Sequence, residues 1–370
     1  MSDAGSRRPL RRGWTTGACA TAAARAAFEA LATGAPPPDP VEIALPSGKR
    51  VAFALATFER GEDFARAGVV KDAGDDPDVT HGALVCAQVR RGAAGAGVRF
   101  FAGEGVGTVT RPGLPLPPGE PAINPVPRRM MCETILEASA KIGLAPDADI
   151  EISIPGGEAL AKHTLNGRLG IVCGLSILGT TGIVTPFSCA AWIDSIHRGV
   201  DVARAMGLTH IAGTTGSTSE AAVKRLYELP ETALIEMGDF VGGLLKYLHK
   251  HPVARVTIGG GFAKLTKLAQ GRLDLHSGRS SVDFAHLAQT AREVGAGQEI
   301  AALIANANSA LEALQIAQGA GIDLAAPIAR AAWRTAAQAL DAMESELEII
   351  ILDREGAPLA RAPFRRAIQS

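Results

Sequence analysis

Three short stretches in the second half of the chain have the residue types that bind a nucleoside. They are Gly213-Thr214-Thr215-Gly216-Ser217-Thr218, Glu236-Met237-Gly238-Asp239 and Gly259-Gly260-Gly261-Phe262. Glycines let a ligand approach the backbone, hydroxyls and amides form uncharged hydrogen bonds, and a carboxylate that ends a strand can accept from ribose hydroxyls. We therefore predict cofactor contacts by Gly213, Thr214, Thr215, Gly216, Ser217, Glu236, Gly259 and Gly260.

The alternative is that these glycines only form tight turns. The sequence has no G-x-G-x-x-G after a strand and no G-x-x-x-x-G-K-[ST], so an NAD site and a P-loop both lack their most specific motifs. An adenosine-bearing cofactor is the interpretation that fits the three stretches together.

The tripeptide Thr-Thr-Gly occurs at residues 15–17, 180–182 and 214–216, each time where a strand or loop is expected to run into a helix. After the first copy, the predicted helix has no acidic residue in its first turn, and Gly17 leaves its amides approachable. Such a helix start attracts carboxylate or phosphate. We predict an anion site at Thr15, Thr16 and Gly17; the alternative is that the glycine and the following alanines only allow close helix packing.

The segment KDAGDDPDVTHG, residues 71–82, crowds four aspartates beside Lys71 and His81. It lacks the alternating ligands and distal glutamate of a calcium loop. We predict a site that uses negative charge or a proton acceptor, with Asp75, Asp76 and His81 as candidate catalytic residues. A solvated turn is the alternative.

Two glycine-rich segments of the first half carry positive charge. The loop 103–129 contains Arg111 and ends in Arg128 and Arg129 at a predicted helix start, and the segment 155–171 contributes Lys162. Guanidinium groups beside free helix amides form a cradle for carboxylates. The histidines lack the spacing of metal ligands, so we expect no protein-bound metal.

Two kinds of secondary-structure pattern divide the chain near residue 185. The first half predicts short strands and two helices, with strands at 41–45, 50–58, 67–71, 84–90, 98–101, 150–154 and 168–177 and helices at 17–32 and 127–142. The second half repeats strand, glycine-rich turn and helix three times, with strands at 209–212, 233–236 and 255–258. We predict a strand-rich two-layer α+β domain over 1–185 and a Rossmann-like three-layer α/β/α domain over 186–370. A closing hairpin at 346–361 could pack on either domain.

The composition excludes several classes of protein. Hydrophobic residues make up 47% of the 370, charged residues 20% and aromatic residues 4%, with a net charge of −1, so neither nucleic acid nor a membrane surface is an expected partner. The five cysteines form no CxxC pair, which predicts a reduced, cytoplasmic protein. The basic N-terminus lacks the apolar segment of a secretory signal, and the apolar stretch LGIVCGLSILGTTGIV is broken by glycines, so we expect a buried strand and turn there.

Taken in order, the motifs resemble one family, the CbiD-type cobalt-precorrin-5B C-1-methyltransferases. They are GWTTGACATAAARAA, VVKDAGDDPDVTHGA, GEGVGTVTRPGLP, GEPAINPVPRRM, ISIPGGEALAKHTLNGRLGIV, AGTTGSTSE and TIGGGFAKLTKLAQG. The resemblance covers residues 10 to about 360. Cys173 stands where a glycine or another small residue is expected.

The resemblance implies transfer of a methyl group from S-adenosylmethionine to C-1 of a cobalt-bearing tetrapyrrole during cobalamin biosynthesis. The substrate is a polycarboxylate that brings its own cobalt, and we expect its carboxylates to be bound in the first domain. The expected residues are Thr15, Thr16, Gly17, Lys71, Arg111, Arg128, Arg129 and Lys162. The adenosine-bearing donor suits the second domain, and Gly182 is expected at the domain junction.

Two other functions stay open at this point: an NAD-dependent reductase of a tetrapyrrole, and a non-catalytic tetrapyrrole carrier. The sequence leaves the oligomeric state open, a homodimer included.

Overall fold

The computed structural model describes residues 9–342 and 344–367. The chain divides into two compact units, Met1–Cys189 and Ala190–Ser370. Both units mix helices and sheets, so the mixed α/β class predicted from the sequence is present.

The first unit is strand-rich. Its strands are β1 (Gly13–Trp14), β2 (Val41–Ala44), β3 (Arg50–Phe53), β4 (Thr57–Arg60), β5 (Phe64–Val70), β6 (Leu84–Arg91), β7 (Val98–Ala102), β8 (Thr108–Val109), β9 (Ala148–Ser153), β10 (Ile171–Val172) and β11 (Ile183–Val184). Its helices are α1 (Thr16–Thr33), α2 (Pro125–Ile142) and α3 (Gly157–Ala161). The main sheet has the order β4-β5-β6-β9-β7, and β2 pairs with β3 in a separate hairpin.

Helix α1 forms the centre of the first core. Thr15 caps its start by accepting from the amide of Ala18, and Gly34 ends it at φ 73°, a left-handed conformation that glycine adopts without strain. Its alanines are almost fully buried, because small side chains let α2 on one side and β5 and β6 on the other approach closely. The helix is therefore buried on nearly all sides, with Arg25 paired to Glu29 within it.

Two of the predicted strands are wrong in extent. Residues 50–58 form β3 and β4 with an interruption between them, and of 168–177 only Ile171–Val172 is a strand. Gly170 and Cys173 adopt left-handed φ angles of 75° and 64°, which break a ladder. The apolar stretch around them is buried only in part: Leu175 and Ile177 are buried and form isolated β-bridges, whereas Val172 and Leu178 are 41% and 50% exposed.

The second unit contains a mostly parallel sheet of the order β13-β12-β14-β15-β16, in which only β16 is antiparallel. Its strands are β12 (His210–Thr214), β13 (Leu234–Glu236), β14 (Arg255–Gly261), β15 (Glu346–Leu352) and β16 (Pro358–Arg366). Its helices are α4 (Cys189–Ala205), α5 (Ser217–Tyr227), α6 (Val241–Lys250), α7 (Phe262–Ala269), α8 (Phe284–Glu293), α9 (Gln298–Ala305), α10 (Ala310–Gly319) and α11 (Ala325–Leu340). The closing hairpin is β15 and β16, and it belongs to this sheet.

Alternate residues of the strands face two different cores. Ile211, Ile235 and Ile258 pack in a large cluster with α4, α6, α7 and α11. Ala212 and Leu234 pack on the other face with Val223 of α5. The helices that connect successive strands therefore lie on opposite faces of the sheet.

Candidate functional site

The carboxyl ends of three parallel strands meet at one edge of the second unit's sheet. Thr214, the last residue of β12, lies in register with Glu236 of β13 and with Gly259 of β14. Because β12 stands between β13 and β14, the chain leaves it toward one side and returns on the other. Ligands of parallel α/β sheets bind at such a reversal of strand order, outside the carboxyl ends. We call this region the carboxyl edge.

The structure brings most of the predicted cofactor residues together at the carboxyl edge. The amide of Thr215 donates to the carbonyl of Gly259 (3.1 Å), and the amides of Met237 and Gly238 donate to the carbonyl of Thr214 (3.1 and 3.2 Å). Gly216 is the N-cap of α5, and Ser217 begins that helix. Backbone hydrogen bonds therefore join the three predicted stretches, although the third is not a turn: Gly259–Gly261 are the last residues of β14, which runs directly into α7. Thr214, Thr215, Gly259 and Gly260 are buried, whereas Ser217 is exposed.

The glycines at the carboxyl edge differ in the physical reason for which each position requires or allows glycine. A Cβ on Gly213 would lie 2.3 Å from Leu244, so that glycine serves the close packing of α6 rather than the approach of a ligand. Gly216 has φ 165°, an extended conformation open to any residue, and a Cβ there would meet nothing within 4 Å. A Cβ on Gly260 would lie 2.8 Å from Thr215, which keeps two of the turns in contact.

Two charged residues of this edge were absent from the predicted set. Lys264, in the first turn of α7, donates to the carbonyl of Thr215 (2.8 Å), and its Nζ lies 3.2 Å from Oδ1 of Asp239. One ammonium group on α7, the helix that directly follows β14, thus ties together the turns that follow β12 and β13. A lysine three residues after the triple glycine was the sequence signal for it.

The first Thr-Thr-Gly does not form an open anion site. Thr15 and Thr16 are buried, the amide of Gly17 donates to the carbonyl of Leu178 (3.0 Å), and the amide of Ala18 is capped by Thr15. A Cβ on Gly17 would lie 2.7 Å from Pro127 of α2. The prediction that Gly17 leaves open helix amides for an anion is therefore wrong. Gly17 is a close-packing position, and these amides already donate hydrogen bonds within the protein.

The second Thr-Thr-Gly lies against the first. The amide of Thr15 donates to the carbonyl of Gly182 (3.0 Å), and β1 pairs with β11 directly after that turn. No helix follows this copy, contrary to the prediction, and a Cβ on Gly182 would meet Leu45. Gly182 therefore has its contacts inside the first unit.

The predicted catalytic aspartates hold chain segments together. Asp75 accepts from the amide of Arg11 (2.6 Å), and Asp76 accepts from the amide of Phe187 (2.8 Å). His81 accepts from the amide of Ala73 through Nδ1 (3.1 Å). The turn is neither an unattached solvated loop nor a cluster of unpartnered carboxylates.

Two ion pairs also hold the segment 71–82, which we call the acidic turn. Arg11 forms a forked pair with Asp72, and its hydrogen bonds lower the pKa of that carboxyl to about 2. Lys71 is 1% exposed, and its Nζ donates to Asp78 (2.5 Å) and Thr80 (2.7 Å). Burial alone would raise the pKa of Asp78, but the charge and hydrogen bond of Lys71 hold it below its ordinary value. Lys71 is thus an internal support of the turn, which contradicts its predicted exposure to substrate.

The predicted arginines differ in whether their guanidinium groups already donate hydrogen bonds to other residues of the protein. Arg128 donates to the carbonyls of Ile123 (2.8 Å) and Pro121 (3.0 Å) and to the carboxylate of Glu120 (2.8 Å). Arg111 donates to the carbonyl of Arg168 (3.0 Å). Both order the loop 103–129, which is no structureless segment, since it contains β8 and a small apolar cluster.

Arg129 and Lys162 are the predicted cations that stay accessible. The side chain of Arg129 is 60% exposed and lies 3.9 Å from Glu133. Lys162 follows α3, is exposed and has no ion-pair or hydrogen-bond partner for its ammonium in residues 9–342 and 344–367. Lys162 can reach a carboxylate without giving up an internal bond, and Arg129 would give up only a long, exposed ion pair.

Within the described residues, no three or more histidines, cysteines, aspartates or glutamates are grouped to hold a metal ion. No described helix is long and apolar enough to cross a bilayer.

Two family models match the chain. The model described as CbiD matches residues 3–186, and the one described as CbiD, C-terminal domain matches residues 274–363. Residues 187–273, which contain most of the carboxyl edge, lie between the two matches.

Curated relatives match almost the whole chain. Proteins named cobalt-precorrin-5B C(1)-methyltransferase are 61% identical in Methylorubrum extorquens (95% of this chain, 97% of the relative), 62% in Bradyrhizobium sp. (96% and 94%) and 59% in Paramagnetospirillum magneticum (95% and 98%). A solved structure of the cobalamin biosynthesis protein (cbiD) from Archaeoglobus fulgidus is 30% identical, with a TM-score of 0.40 over 73% of this chain and 83% of that chain.

Proposed function

This chain belongs to the CbiD family, and from that premise we propose that it methylates C-1 of cobalt-precorrin-5B in cobalamin biosynthesis, with S-adenosylmethionine as the methyl donor. The observation that carries the proposal is the 59–62% identity, over nearly the full length, to enzymes named for this reaction. We expect the reaction to take place in the cytoplasm. The cobalt is part of the substrate.

We place the donor at the carboxyl edge of the second unit, and we interpret its mostly parallel sheet with helices on both faces as Rossmann-like. The residues present fit an adenosyl group. The half-buried carboxylate of Glu236 has no hydrogen-bond or ion-pair partner in the part of the chain that the structure describes, so it is available to ribose hydroxyls. Gly216 and Gly261 leave open space, because a Cβ on either would meet nothing within 4 Å.

When bound, S-adenosylmethionine supplies an activated methyl group. Methyl transfer from a sulfonium is an in-line displacement, so the protein contributes mainly by holding donor and acceptor carbon in contact. Glu236 would orient the ribose, and Lys264 would hold the Thr215 turn and Asp239 in fixed positions around it.

We place the substrate carboxylates on the first unit, with Arg129 and Lys162 as the first contacts. Arg111 and Arg128 already donate to internal acceptors, so their part is to order the loop that carries these contacts. This ranking changes the sequence-based prediction, which treated the four cations alike.

The proposal is tested by calorimetry and by transfer of a labelled methyl group. We expect the full-length chain to bind S-adenosylhomocysteine and to transfer label from S-adenosylmethionine to a cobalt-precorrin-5B preparation. Binding of the tetrapyrrole without any binding of S-adenosylhomocysteine would favour a carrier, and binding of NADH in its place would favour a reductase.

A further inference from the structure

The hydroxyl of Thr214 is a buried polar group that the fold leaves unsatisfied. Thr214 is 0% exposed, and its Oγ1 has no hydrogen-bond partner in the described part of the chain. Its carbonyl, by contrast, accepts two backbone amides. A buried hydroxyl without a partner destabilises the folded state, so one that is kept in a native structure calls for an explanation.

The neighbour of this hydroxyl is an acceptor that also lacks a partner. Glu236 lies beside Thr214 in parallel register, on a strand about 4.8 Å away. Both side chains lie on the α5 face, because Ala212 and Leu234, two residues earlier on each strand, pack against α5. A donor without an acceptor and an acceptor without a donor thus lie side by side.

The other neighbours of Thr214 do not explain its hydroxyl. Gly259, in register on the opposite side, offers no side chain, and a Cβ there would approach the methyl carbon of Thr214 at 3.8 Å. Asp239, the second carboxylate after β13, has its own cation in Lys264 at 3.2 Å, although its buried Oδ1 accepts no hydrogen bond from the described residues.

We propose that Thr214 is the positioning residue for Glu236. When a ligand covers the carboxyl edge, the hydroxyl of Thr214 donates to the carboxylate of Glu236 and fixes its orientation. A carboxylate has about four lone-pair sites, so Glu236 can still accept from both hydroxyls of a ribose. The ligand recognised is a ribonucleoside with a free vicinal diol. The inference rests on the proposed function, which places the adenosyl group at this edge.

The test uses calorimetry with S-adenosylhomocysteine on the full-length chain. Thr214→Val replaces the hydroxyl with a methyl group, and we expect the dissociation constant to rise about tenfold. Thr214→Ser keeps the hydroxyl and should bind within about threefold of wild type. Added to Glu236→Gln, Thr214→Val should cause little further loss, because the two residues act as one unit.

A second readout separates positioning from structural support. Without ligand, Thr214→Val should unfold at a temperature a few degrees above wild type, because the change removes an unsatisfied buried group. Thr257→Val is the matched control: Thr257 is also 0% exposed in this sheet, but its hydroxyl donates to Glu348 (3.2 Å). That variant should lose stability and keep its affinity.

The outcomes separate the inference from the proposed function. If wild type does not bind S-adenosylhomocysteine, the proposed function and the inference both fail. If Glu236→Gln binds it as wild type does, the adenosyl group is not at this edge and the inference fails, whereas the methyltransferase function stands. If Glu236→Gln weakens binding while Thr214→Val does not, only the positioning role is wrong. A Thr214→Val chain that loses stability and affinity together would also overturn it. Wild type should bind the 2′-deoxy analogue more weakly than S-adenosylhomocysteine, whereas Glu236→Gln should bind the two ligands about equally.

Discussion

The acidic turn of the first unit and the carboxyl edge of the second both combine glycines with carboxylates, and both were predicted to be functional sites. They differ in whether their polar groups have partners within the protein. In the acidic turn, Asp72, Asp75, Asp76 and Asp78 all have donors in the first unit. At the carboxyl edge, Glu236 and the hydroxyl of Thr214 lack partners among the described residues. Polar groups that satisfy one another stabilise a fold, whereas unsatisfied ones are available to a ligand.

The largest expected effect is on the stability of the first unit. Lys71→Met should lower the free energy of unfolding by about 2–4 kcal/mol, because it leaves Asp78 without its buried counter-charge. Chemical denaturation measures this. Adding Asp78→Asn should recover part of the loss, since it removes the unpaired charge. A Lys71→Met chain of wild-type stability that no longer binds tetrapyrrole would mean that Lys71 binds substrate. The acidic turn would then not be purely structural.

Glu236→Gln should affect binding and leave stability nearly unchanged. Loss of a charged acceptor costs about 1.5–3 kcal/mol, or roughly a tenfold to hundredfold rise in the dissociation constant of S-adenosylhomocysteine. The unfolding curve should coincide with that of wild type, because the carboxylate has no protein partner to lose. A large loss of stability would place Glu236 with the structural carboxylates of the acidic turn.

Arg128 and Arg129 are adjacent in sequence but differ in the same way within the first unit: Arg128 is bonded internally and Arg129 is exposed. Arg129→Ala should weaken tetrapyrrole binding by up to about tenfold at low salt and less at high salt, because an exposed charge is screened. Arg128→Ala should mainly lower the thermal midpoint, since three internal acceptors lose their donor. Titrations at two salt concentrations and thermal scans of both variants decide between these roles.

A smaller effect is expected in acid. The pKa of Asp72 is lowered to about 2 by Arg11, so its contribution to stability is present above the pKa of the unfolded chain, near 4, and is lost as pH falls toward 2. The exposure of the pair keeps this contribution small. Asp72→Asn should therefore flatten the stability curve between about pH 4 and 2. An unchanged slope would show that the Arg11–Asp72 pair does not contribute.

The smallest effect on stability is expected for Asp75→Asn. An amide oxygen can still accept from the amide of Arg11, so the free energy of unfolding should stay within about 0.5 kcal/mol of wild type. Asp75→Ala is the control and should be less stable. If Asp75→Asn loses turnover at wild-type stability, the charge of Asp75 has a catalytic role beyond holding the turn.

The sequence predicted the elements that local chemistry decides. The alternation of strands and helices in residues 209–269, the capped α1 and the closing hairpin are present, because periodicity and turn residues act over a few positions. The third predicted glycine turn is wrong, since Gly259–Gly261 continue β14 directly into α7. It was wrong where left-handed turns interrupt an apolar run, as at Gly170 and Cys173. No elements were predicted from the sequence for residues 284–340, where the structure has α8 to α11.

The sequence by itself determined the family, the parallel strands and the meeting of three glycine-containing stretches at their carboxyl ends, since parallel strands put their carboxyl ends on one side. Only the tertiary structure decided which polar groups are already satisfied. Lys71, Arg128 and the amide of Gly17 looked like groups for an anion, but Asp78, Glu120 and the carbonyl of Leu178 bind them from positions that the spacing along the chain does not reveal. Residue type sets what a side chain can bind, whereas its neighbours in space decide whether it is free to do so.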